Sequence, residues 1–103
     1  MSNNYDSFKQ LLDDKQDEMI KNLQRAISFP SVSEINNSEF PFGKNVQKCL
    51  EHMLELAESM GFKTCNVDNH VGWCEYGEGE EMIALLGHLD VVPVGEGWSI
   101  SPY

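Results

Sequence analysis

The sequence predicts an α/β fold. Three observations carry that expectation. Two stretches place apolar residues three and four apart, two short β-prone runs flank a turn, and one apolar run, Met82-Ile83-Ala84-Leu85-Leu86, shows no alternation. The first is the period of a helix buried along one face, and the second is the mark of a hairpin. The third fits an interior strand covered by helices on both sides. With 103 residues and 41% of them hydrophobic, the chain has room for one domain and one modest core.

In chain order, Tyr5 to Phe29 carries Phe8, Leu11, Leu12, Met19, Ile20, Leu23, Ala26 and Ile27 on one helical face, with acidic and lysine residues around the rest. Asp6 or Ser7 is the expected cap, and Pro30 the stop, because the residue before a proline is pushed out of the helical region. Ser31 to Asn45 is rich in Ser and Asn, has no period, and reads as a loop. Val46, Cys49, Leu50, Met53, Leu54, Ala57 and Met60 mark a second helix, with Gly61 placed for a left-handed C-terminal cap. Phe62 to Val67 and Val71 to Tyr76 form the expected hairpin around Asp68-Asn69. If that turn is symmetric, Cys65 and Cys74 face each other, and His70 sits at the loop end in solvent. Gly77 to Glu81 is a charged turn before the apolar run.

Seventeen acidic against seven basic residues give a net charge of −10. Such a surface repels phosphate backbones and anionic lipid, which argues against nucleic-acid and membrane partners. Met1 to Lys15 lacks the apolar core of a signal peptide, and no apolar run approaches membrane-spanning length. Cys49, Cys65 and Cys74 are too few and too irregularly spaced for a disulfide scaffold. A soluble cytoplasmic protein is the expectation.

The chemistry lies after the apolar run. In open α/β sheets ligands bind beyond the carboxyl ends of the strands, and His88 and Asp90 sit there, two apart. In extended chain such residues point to one side. A metal-binding histidine usually gives its other ring N–H to a carboxylate or carbonyl, which fixes its tautomer. His88-Leu89-Asp90 therefore reads as a ligand with a supporting carboxylate, although His-x-Asp by itself is a common string. Cys49 and His52 lie three apart on the second helix, but two ligands do not make a site and Cys49 fits the apolar stripe.

The wider string is more specific. Gly87-His88-Leu89-Asp90-Val91-Val92-Pro93, with Gly95, Gly97-Trp98 and Pro102-Tyr103, closely resembles the first metal motif of a zinc exopeptidase family. That family includes carboxypeptidase G, aminoacylase, succinyl-diaminopimelate desuccinylase and bacterial dipeptidases. Ile27-Ser28-Phe29-Pro30-Ser31-Val32 is similar to its opening helix and proline stop. Pro41-Phe42-Gly43, Gly61-Phe62-Lys63, Asp68-Asn69-His70-Val71-Gly72 and Glu75 to Gly79 resemble the dipeptidase V branch.

The resemblance implies that residues 1–103 form the N-terminal portion of a metallopeptidase catalytic domain, helices packed on a mixed sheet, incomplete and without a complete second domain. It implies that His88 binds one of two metal ions, Zn2+ with Mn2+ or Co2+ as alternatives, and that Asp90 is the active-site aspartate that orients it. The implied reaction is hydrolysis of the peptide bond of a dipeptide. The family's Asp-x-Lys-Gly segment, Glu-Glu pair, further acidic ligand and distal histidine have no counterpart here, so this chain is expected to be inactive alone. Two other readings stay open: a non-catalytic binding remnant of such an enzyme, and part of a sister deacylase or desuccinylase. Trp98 and Pro102 are expected to pack near the rim of the site.

Overall fold

The computed structural model describes residues 2–36 and 38–103. Its elements are helix α1 (Ser2–Ile27), helix α2 (Lys44–Ser59), and strands β1 (Lys63–Val67) and β2 (Val71–Glu75). The two strands pair antiparallel in a two-stranded sheet. This is an α/β arrangement with an incomplete sheet.

Helix α1 starts three residues before the expected Tyr5, so Asp6 and Ser7 lie within it rather than capping it. Its end matches the proline rule: Ile27 is its last residue, three before Pro30. The polar face carries local pairs, Lys9 to Asp13 at 2.6 Å and Lys15 to Glu18 at 3.3 Å. Exposed pairs of this spacing each add about 0.2–0.5 kcal/mol. The apolar face stays in solvent along most of its length, with Tyr5, Phe8, Leu11, Met19 and Leu23 all exposed. Just past its end, Phe29 reaches α2. There the Arg25 guanidinium stands 5.1 Å from the Phe29 ring centroid, and the Phe29 and His52 rings lie 5.3 Å apart.

Helix α2 ends as its sequence requires. The N–H of Met60 returns to Leu56 and Ala57, and Gly61 follows in the left-handed region at φ 93. Its buried residues are Gln47, Cys49 and Leu50. Leu50 and Leu54 face β2 at Gly72, where a methyl group would come within 2.7 Å of Leu50 Cδ1 and 3.0 Å of Leu54 Cδ2. Only a residue without a side chain lets helix and strand approach this closely.

The hairpin turn has positive φ at both Asp68 and Asn69, 51 and 61. This is the twist that joins antiparallel strands well. His70 belongs to the connection, so the register centres on Asn69 and pairs Cys65 with Trp73 and Thr64 with Cys74. The expected Cys65–Cys74 juxtaposition is therefore wrong. A one-residue shift sends the two sulfurs to opposite faces, and all three cysteines are free.

The largest difference concerns Met82 to Leu86. These residues form no strand, and Met82, Ile83, Leu85 and Leu86 are 82–95% exposed. A strand apolar on both faces needs hydrogen-bonded neighbours and two covering layers. Among the described residues, the nearest regular pairing is a single parallel bridge between Val32 and Val91.

Gly72→Ala is expected to force α2 off the hairpin and destabilise the chain by about 1–3 kcal/mol, the usual cost of overpacking, measurable by denaturant unfolding. The cysteines give a second check. Burial pushes the Cys49 thiol up, and a hydrogen bond with the Ser31 side chain pulls it part of the way back. The folded state then holds that proton more tightly than the unfolded chain. Its contribution to stability is complete below the thiol's ordinary range and is lost as pH rises through that range to the folded value. Alkylation followed by mass should label exposed Cys74 first and Cys49 last.

Candidate functional site

Segment 87–91 is held to the body of the molecule by Ser31. Its hydroxyl donates to the Leu89 carbonyl at 2.7 Å, and its own carbonyl accepts from the Val91 N–H at 3.0 Å. Ser31 is 2% exposed. Two hydrogen bonds from one buried residue thus bracket Asp90 and fix where the His88-Leu89-Asp90 string passes.

Within that string the expected pairing is present. His88 Nδ1 lies 2.9 Å from the Asp90 carbonyl oxygen and 3.1 Å from Asp90 Oδ1. Both partners are acceptors, so Nδ1 carries the hydrogen and Nε2 of the neutral ring keeps its lone pair. The His88 side chain is largely exposed and that of Asp90 half-exposed, and among the described residues Nε2 has no hydrogen-bond partner.

A cavity of about 310 Å3 opens between α2, the hairpin turn and this segment. His88 and Asp90 line one part of it, and Phe42, Leu50, His70 and Gly72 line others. His70 is exposed, as expected, but it is also held in place. Its Nδ1 donates to the Asp68 carbonyl at 2.8 Å, and its ring meets Phe42 edge-on at 5.6 Å.

Asn69 organises the wall beneath it. The Asn69 amide donates to the Glu39 carbonyl at 2.8 Å, and Asn69 Oδ1 accepts from Gln47 and Asn66, each at 2.8 Å. Loop, helix and hairpin meet at this one side chain. Neither Ser31 nor Asn69 is conspicuous in the sequence, since their partners lie 58 and 22–30 residues away. An Asp-Asn turn is the only local signal for the second.

Trp98 is 56% exposed, and its indole N–H donates to the Val94 carbonyl at 2.8 Å. It closes a local loop through Gly95 and Gly97, both at positive φ. The expected packing role is corrected to that of a loop fastener; Pro102 is half-buried. His52 lies against Phe29, with Nε2 buried and unpartnered among the described residues.

No group of three His, Cys, Asp or Glu side chains able to hold a metal occurs among the described residues. The His88–Asp90 unit has the chemistry of one oriented ligand, and a catalytic zinc takes about three. These residues therefore fit a single position of a metal centre and not a centre. Also among the described residues, no helix is long and apolar enough to cross a membrane.

The sequence has relatives along nearly all of its length. It is 35% identical over 99 residues to the Beta-Ala-Xaa dipeptidase of Lactobacillus delbrueckii subsp. lactis, which covers 94% of this chain and 21% of that protein. By sequence, the chain is a relative of the bacterial dipeptidases. A Bacillus subtilis protein named as a dipeptidase, YtjP, is 38% identical over 91 residues, 86% of this chain and 20% of its own. A Staphylococcus haemolyticus protein named likewise is 33% identical over 98 residues, 93% and 21% respectively. The chain thus spans about a fifth of the length of these curated relatives. No family model matches it.

Ser31→Ala should release Leu89 while leaving the hairpin intact. A net hydrogen bond of about 0.5–1.5 kcal/mol corresponds to roughly a two- to twelvefold faster amide exchange at Val91, with Val67 to Val71 unchanged.

Proposed function

We propose that residues 1–103 serve as the N-terminal portion of the catalytic domain of a metal-dependent dipeptidase, which hydrolyses the peptide bond of dipeptides at a dinuclear centre of Zn2+, Mn2+ or Co2+. In this reading the chain supplies His88 as one metal ligand and Asp90 as the carboxylate that holds its ring. The remaining donors and the proton-transferring group lie outside these residues, and the 103-residue chain alone is inactive.

One observation carries the reading: the 2.9 and 3.1 Å contacts from His88 Nδ1 to Asp90, in a chain related to dipeptidases over most of its length. They commit Nδ1 and leave Nε2 free, the arrangement a coordinating imidazole needs. The relation to dipeptidases favours a dipeptide over the substrates of a deacylase. No step of the hydrolysis is assigned to this chain's residues beyond holding and orienting that imidazole.

The test uses a longer dipeptidase carrying this sequence, assayed for dipeptide hydrolysis and for bound metal. His88→Ala is expected to lose metal and nearly all turnover. Asp90→Asn should retain part of the metal and lose roughly 10- to 100-fold in affinity or rate. Unchanged turnover in Asp90→Asn, or hydrolysis by the purified 103-residue chain, would overturn the assignment.

A further inference from the structure

We propose that His70 is a substrate-recognition residue of the same cavity, accepting a hydrogen bond from the primary ammonium group of a dipeptide. The proposal rests on the dipeptidase reading and deepens it, since it names what the second histidine of the cavity recognises.

His70 shares the tautomer of His88. A backbone carbonyl can only accept, so the 2.8 Å contact to the Asp68 carbonyl puts the hydrogen on Nδ1 and leaves a lone pair on Nε2 of the neutral ring. Both imidazoles line the cavity with Nδ1 committed to a carbonyl, and among the described residues Nε2 of neither ring has a hydrogen-bond partner. Asp90 adds a carboxylate, and among the described residues no lysine or arginine lines the wall. The two imidazoles and the Asp90 carboxylate, in a chain of net charge −10, favour the ammonium end of a dipeptide over its carboxylate.

The support given to this imidazole points the same way. The ring stands on a turn whose two preceding residues, Asp68 and Asn69, both have positive φ. That conformation costs most side chains about 1–2 kcal/mol per residue, less for Asn and Asp. Asn69 secures the turn through Glu39, Gln47 and Asn66, and Phe42 fixes the ring from the side.

The experiment titrates the 15N-labelled 103-residue chain, without added metal, and reads the imidazole nitrogens by long-range 1H–15N spectra. The probes are alanylalanine and its N-acetyl counterpart, which lacks the ammonium group. A saturable shift at His70 Nε2 with the free dipeptide, reduced at least tenfold with the acetylated one, is the expected result. His70→Phe keeps a ring beside Phe42 and removes the acceptor. It should weaken dipeptide binding, read at His88, by roughly 10- to 150-fold, the scale of one hydrogen bond to a charged group.

Three results would overturn the proposal: a shift at His88 with His70 unmoved, equal responses to the two peptides, or no saturable response at either histidine. The readout is binding without turnover. Failure of the dipeptidase reading would instead appear as absent hydrolysis in the longer enzyme, with this titration intact.

Discussion

The position of the site depends on one buried serine. Ser31 donates from its hydroxyl to Leu89 and accepts at its carbonyl from Val91. By doing so it joins the end of the first helical region to the segment that carries His88 and Asp90. The local geometry of that pair needs little else, because a histidine and an aspartate two residues apart can meet through short-range contacts alone. Its placement over the cavity is a long-range matter, and Ser31 provides it. The parallel bridge from Val32 to Val91 begins at the same point, so two strand-like segments cross beside the site.

The body on which this rests is small and unusually polar. Cys49 and Leu50 are its buried apolar residues, and Ser31 and Gln47 its buried polar ones. Two-stranded sheets are marginal by themselves, and here α2 covers the hairpin by direct approach at Gly72 while Asn69 ties turn, helix and loop together. Polar contacts of this kind specify geometry more than they add stability, since each replaces bonds to water. The cavity wall consequently has well-defined donors and acceptors although the apolar core beneath it is slight.

What was legible in the sequence was whatever depends on neighbours in the chain. The period of α2 and its Gly61 cap, the proline that bounds α1, the Asp68-Asn69 turn and the His88–Asp90 pairing all follow from residues within a few positions of one another. The interior strand at Met82 to Leu86 did not form, because apolar pattern states what a segment requires and not whether its neighbours are present. The register error at Cys65 and Cys74 has a smaller cause. Counting His70 into the connection moves the centre of the hairpin by half a residue, and a face is lost. Ser31 and Asn69 were illegible because hydrogen-bonding capacity is common to every serine and asparagine, and only the folded chain selects the few that are used.

The exposed run from Met82 to Leu86 has a further meaning for the behaviour of the molecule in bulk. Its backbone donors and acceptors lie open beside large apolar side chains, which is a template for pairing with an identical segment of another copy. Glu78, Glu80 and Glu81 stand immediately before it, so stacking two copies in register would bring like charges together. Carboxylates so placed act as gatekeepers beside an apolar segment. The charged turn Gly77 to Glu81 thus opposes, by charge alone, the pairing that the apolar run behind it invites.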